Sequence, residues 1–229
     1  MNRLQSELSR LYLLPHAERT GSAEGGVRAM ILELASPADW TELSKVWRGV
    51  QTDLGLPAPA IAVSGGDGMQ LWFSLEVPVR LDRAAAFLAR MAAQYLSGIA
   101  ADRLRLMPAA TGESFSVPLI PRQLPASGNW SAFVAPDLAA VFVETPWLDV
   151  EPSIEGQGEL LGRLACIKAA DFDAVLRRLS PPAERRPTEA VHPASDIDPK
   201  RFLQQVLNDE SIDLALRIQA ASALVRSSS

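Results

Sequence analysis

Two stretches, VRAMILEL (27–34) and MQLWFSL (69–75), constrain the fold more than anything else in the chain. Both read as strands, and a strand sends alternate side chains to opposite faces. On the first, Met30, Leu32 and Leu34 point one way while Ala29, Ile31 and Glu33 point the other. On the second, Met69, Leu71, Phe73 and Leu75 oppose Gln70, Trp72 and Ser74. The all-apolar sets must be buried against helices, and the neighbouring sequence supplies them. Trp40, Leu43, Trp47 and Val50 recur at helical spacing after SPADW, where Ser36 is the expected N-cap and Pro37 the first helical residue. LDRAAAFLARMAAQYL (81–96) is a second helix. AIAVS (60–64) and DRLRLMP (102–108) read as further strands, and Pro78 is the expected end of the strand that begins at 69.

Between about 27 and 108 the order is therefore strand, helix, strand, strand, helix, strand. This predicts an α+β protein with a ferredoxin-like or RNA-recognition-type (RRM-like) βαββαβ core sheet. Glu33, Gln70 and Trp72 then share the face of the sheet turned away from the helices, and Arg103 and Arg105, alternating with Leu104 and Leu106, extend it. Residues 109–179 form an additional α/β segment. SFSVPLI and WSAFV are expected strands, DLAAVFVE is ambiguous, and 154–179 is one or two helices. This segment is expected to cover the open face. An amphipathic helix over 2–14, ended by Pro15, and a glycine-rich loop over 18–26 precede the core. Residues 1–180 make one domain, 181–198 a proline-rich linker, and 199–229 a helical hairpin whose apolar stripe needs a partner.

Composition narrows the function. A balance of 22 basic against 27 acidic residues, net −5, argues against a broad electrostatic grip on nucleic acid. The single cysteine, Cys166, excludes an intramolecular disulfide and a cysteine-rich zinc site. His16 and His192 lack partners at ligand spacing, so no metal is assigned to either and no Ser-His-Asp or Cys-His arrangement is present. No apolar run approaches the ~18–20 residues needed to span a bilayer. The expectation is a cytoplasmic protein with no membrane partner.

The turn SGGDG (64–68) leads into a strand rather than opening a helix, so it is neither a P-loop nor a dinucleotide fingerprint. A plain hairpin turn and a ligand-binding turn both fit it. MILELASPADWTEL, followed by LGLPAPAIAVSGGDGMQLWFSLEVPV, resembles the core of the archaeo-eukaryotic primase superfamily, in the primase–polymerase branch found on plasmids and phages. The resemblance spans roughly residues 27–80. It implies a first strand ending in an Asp-x-Asp pair that holds two divalent metals, and a glycine-rich turn leading to a small-x-His element that contacts the nucleotide. Here Glu33 and Ala35 stand at the two Asp positions and Gln70 at the His, while Ser64, Gly65, Gly66 and Gly68 keep the turn. Glu144 and Asp149 are the candidates for a third acidic position.

Two-metal phosphoryl transfer needs several carboxylate oxygens around ions ~4 Å apart. Glu33 alone holds one magnesium ion at most, and Gln70 brings no positive charge to a triphosphate. The resemblance thus implies a degenerate active site with no catalytic residue, in a protein serving DNA replication or maintenance of a mobile genetic element. Glu33, Ser64, Gly65, Gly66, Gly68, Gln70, Trp72, Arg103 and Arg105 are the candidate contacts to a nucleotide or single-stranded nucleic acid. The alternative is a non-enzymatic adaptor that engages a protein partner, or itself, through residues 199–229. Residues 202–225 there resemble helical segments of phage small terminase subunits.

Overall fold

The computed structural model describes residues 2–14, 26–109 and 115–180. The chain divides into two compact units, Met1–Pro182 and Ala183–Ser229, and the described residues belong to the first. The linker expected at 181–198, the hairpin expected at 199–229, residues 18–25 of the glycine-rich loop, His16 and His192 all lie outside the described residues.

The core elements are β1 (Val27–Ala35), β2 (Ala60–Val63), β3 (Gly68–Val79) and β4 (Leu104–Met107), with α2 (Trp40–Thr52) and α3 (Leu81–Tyr95) between them. They follow α1 (Arg3–Leu11) and precede β5 (Arg122–Gln123), β6 (Trp130–Val134), α4 (Ile154–Gly162) and α5 (Ala169–Arg178). The strands form one antiparallel sheet in the order β4-β1-β3-β2-β6-β5. Among the described residues no helix is long and apolar enough to cross a membrane.

Alternation sorts the sheet as the side-chain pattern demands. Met30, Leu32 and Leu34 of β1 and Met69, Leu71, Phe73 and Leu75 of β3 join one buried cluster, packed against Leu43, Val46 and Val50 of α2 and Phe87, Leu88 and Met91 of α3. Ala29, Ile31 and Trp72 face the other way into a second cluster. One face of each strand feeds each cluster, so a one-residue slip in register would exchange the two sets.

Several local expectations are corrected. Helix α2 begins at Trp40 with Asp39 as N-cap, its carboxylate accepting from Glu42 N at 3.1 Å. Ser36 is unsuited to that task because its φ is +53° and its hydroxyl is committed to Asp67. Strand β3 runs past Pro78 to Val79, where it meets Val27 beyond an irregularity in β1. In β4 the ladder starts only at Leu104, since Ala101–Arg103 form a 3-10 turn. Residues 115–120 of SFSVPLI are in no strand. Pro118 has no N–H to give a ladder, and the segment instead lays Ile120 into the second cluster. The 109–179 segment covers the second face only in part. Helix α4 does so through Leu161, but α5 sends Phe172 and Val175 to the first cluster, and β6 extends the sheet beside β2. The remaining cover is α1, which brings Leu4 and Leu11, with Tyr12 just after it.

Candidate functional site

Glu33 sits on the central strand β1, opposite Gln70 of β3 on one side and Arg105 of β4 on the other. Cross-strand partners share a face, so the three side chains meet because of the sheet's register alone. The Glu33 side chain is 6% exposed. Its Oε2 accepts from Gln70 Nε2 at 2.7 Å and its Oε1 accepts from Arg105 Nη1 at 2.7 Å. Gln70 Oε1 in turn accepts from Trp72 Nε1 at 2.8 Å. Residues 70 and 72 lie on one face of β3 by period two, so a side chain at 70 must accept from the indole and donate to the carboxylate. An amide does both at once.

Arg105 continues the row. Its Nη1 also reaches Asp67 Oδ1 at 3.4 Å, and Asp67 Oδ2 accepts from the Ser36 hydroxyl at 2.5 Å. The Ser36 hydrogen bond first, and the Arg105 charge after it, hold the Asp67 carboxyl below the usual carboxylate range. Glu33 first, then Asp67, push the Arg105 guanidinium above its ordinary value. A buried carboxylate is costly unless paired and hydrogen-bonded, and Glu33 has both forms of compensation. Among the described residues no buried polar side-chain atom lacks a partner.

The glycines of the turn serve the protein itself. Gly65 N–H donates to Pro146 O at 3.1 Å, and the N–H groups of Gly66 and Gly68 both donate to Ser64 Oγ at 3.1 Å. Gly65 has φ +82°, and a Cβ there would stand 2.9 Å from the backbone nitrogen of Ser131. At Gly68 a Cβ would lie 2.7 Å from Glu33 Oε1. Glycine at 68 therefore leaves the space the buried carboxylate fills. All three glycine amides already have acceptors within the chain.

The remaining sequence-predicted residues fall in different settings. Trp72 is 1% exposed, its ring edge-on to Tyr12 at 5.2 Å and to Phe133 at 5.4 Å. Arg103 does not extend the Glu33 row. It lies before β4, with its guanidinium donating to the carbonyls of Ala35 (3.4 Å) and Pro37 (2.7 Å). Asp149 accepts from the Trp147 indole at 3.2 Å. Ala35 pairs with Gly68 across β1 and β3. Sequence reasoning missed the contacts that Asp67, Ser36 and Tyr12 make here. Asp67 was legible as the one charged residue of GGDG; the others gain their roles from contacts distant in sequence.

Magnesium, which the resemblance implies, does not fit this donor set. Both Glu33 oxygens accept from the chain's own donors, and so do both Asp67 oxygens. Among the described residues no group of three or more His, Cys, Asp or Glu side chains is placed to hold a metal ion. No family model and no curated protein matches the chain.

Proposed function

We propose that this chain is a primase–polymerase-like protein that has lost catalysis, serves replication or maintenance of a mobile element, and retains affinity for single-stranded nucleic acid. Support for the ancestry comes from the antiparallel order β4-β1-β3-β2 within the six-stranded sheet, with α2 and α3 against one face, which suits the ferredoxin- or RRM-like core expected of that family. The glycine turn also packs directly on Glu33, the residue at the first metal-binding position of that family's pattern.

One observation carries the loss of catalysis: the Arg105 guanidinium lies between Glu33 and Asp67, at 2.7 and 3.4 Å. Two-metal enzymes place cations among carboxylates so that the attacking and leaving oxygens are both stabilised. Here an arginine of the chain supplies the positive charge, and a guanidinium has no open coordination position to offer a phosphate oxygen and a nucleophile together. Ala35 adds no carboxylate and Gln70 no charge.

The test is incorporation of labelled nucleotides on primed and unprimed single-stranded templates, with magnesium or manganese. No incorporation is expected from the full chain. Incorporation that disappears in Glu33→Ala would overturn the proposal.

A further inference from the structure

We infer that α1 is an autoinhibitory lid, closing an aromatic and cationic surface that takes single-stranded nucleic acid; this rests on the nucleic-acid reading above. The residues by which α1 is seated imitate such a ligand. The Tyr12 ring lies parallel to Phe133, at 9° and 6.3 Å between centroids, and edge-on to Trp72. A base stacked on Phe133 would occupy that position. Across the sheet, Ala60 pairs with Trp72 and Ala62 with Phe133, so small side chains of β2 flank both rings.

Beside the Tyr12 ring, the Arg28 guanidinium donates to Arg10 O at 2.8 Å and Leu13 O at 3.2 Å, with Leu75 O as its third acceptor at 3.0 Å. Two of these oxygens belong to the end of α1 and the residues just after it. They stand where the oxygens of a phosphate would accept the same donors. One stacked ring, on Tyr12, and two acceptor oxygens, on Arg10 and Leu13 to either side of it, thus reproduce the base and phosphate of a nucleotide.

The lid is also separable. Helix α1 precedes β1 and contributes no strand, so its departure breaks no sheet hydrogen bond. Besides its apolar contacts, it is fastened to α4 and the residue stretch just after it by Arg10, which donates to Leu161 O and Leu164 O at 3.1 Å, and by the exposed Arg3–Glu159 ion pair at 3.5 Å. A nine-residue helix is marginal alone in water, so its state follows its seat.

The experiment measures fluorescence anisotropy of a labelled oligothymidylate against four full-length chains: wild type, Arg10→Ala, Leu4→Ala/Leu11→Ala, and the latter with Arg28→Gln. Apparent affinity scales with the open fraction, so Arg10→Ala and the double variant should each bind about tenfold tighter than wild type or better. Tightening by Arg10→Ala is telling, because that change removes a positive charge. Adding Arg28→Gln should abolish the gain. Hydrogen exchange at α1 amides reports independently whether the lid has loosened. Equal binding by all four chains would keep the nucleic-acid reading and overturn the lid. No binding by any chain, with α1 amides shown to exchange faster in the double variant, would overturn both.

Discussion

The two faces of the sheet are both buried, yet they are built on different principles. The first packs Leu32, Leu71 and Phe73 against two long helices, α2 of 13 residues and α3 of 15, with hydrocarbon on both sides of the contact. The second carries the row Trp72, Gln70, Glu33, Arg105 across three strands, with α1 and α4, of nine residues each, packed at its Trp72 end. Burial on the first face is a matter of volume, where close-packed side chains set the energy. On the second, each buried polar group must find its one partner, and the partner's position is dictated by register. Gln157 of α4 shows the same logic, its amide bonding both the N–H (2.7 Å) and the C=O (2.8 Å) of Phe133. The first face can hold the fold together, whereas the second discriminates between nearly equivalent ways of covering it.

The sharpest test of that contrast is truncation on each side. Phe87 is fully buried between Phe73, at 5.7 Å, and Phe172, at 5.3 Å, so Phe87→Ala should cost about 3–5 kcal/mol. Leu11→Ala, equally buried but on the short helix α1, should cost less, about 2–3 kcal/mol, near the low end for such a change. Urea unfolding with an unchanged slope would measure both. A Leu11→Ala penalty equal to that of Phe87→Ala would break the comparison, making α1 as integral as α3.

That asymmetry also explains what could be read in advance. Period-two alternation assigned Met30, Leu32 and Leu34 against Ala29, Ile31 and Glu33 without any knowledge of the fold, because pleat geometry leaves no other choice. The same rule placed Glu33, Gln70 and Trp72 together. Arg105 followed from alternation on β4, and Arg103 did not, because the first two residues of the expected strand, Asp102 and Arg103, belong to a 3-10 turn instead of the ladder. The identity of the cover was not legible. An amphipathic helix such as α1 announces that it needs an apolar seat but not which one, and Tyr12 and Phe133 are 121 positions apart, from 12 to 133. Nor does a glycine in a turn declare whether it admits a phosphate or, as Gly68 does, a neighbouring carboxylate.

The polar row itself is tested by Arg105→Ala. Removing one partner of a fully buried pair is severe, but the Arg105 side chain is 52% exposed and water can replace part of its role. The expected loss is therefore about 1–2 kcal/mol, with Arg105→Lys recovering some of it by restoring charge without the guanidinium geometry. An unchanged midpoint for Arg105→Ala would mean that the Gln70 amide alone satisfies Glu33, and that the row is less coupled than its distances imply.

The smallest effect at neutral pH belongs to Tyr12→Phe, and its signature is displaced to alkaline solution. Burial, and to a lesser degree the neighbouring Cys166, raise the Tyr12 hydroxyl well above its ordinary value, opposed in part by Arg10. The chain has one other tyrosine, Tyr95, pushed up to about 12 by burial and by its bond to Asp53. In the unfolded chain both lose their protons near pH 10. The folded form keeps them, so the unfolded state binds fewer protons and stability falls as pH rises above about 10. Below that pH neither group contributes any slope. Tyr12→Phe keeps the ring between Trp72 and Phe133 while deleting the ionisable oxygen, so the alkaline limb should become shallower by about 1.4 kcal/mol per pH unit. Tyr95→Phe, on the other side of the sheet, should flatten it only between pH 10 and about 12. If Tyr12→Phe leaves the limb unchanged while Tyr95→Phe flattens it, the Tyr12 hydroxyl must already meet water in the folded chain. The second face would then be open beneath α1, and the contrast between a sealed side and a removable one would have to be drawn more sharply still.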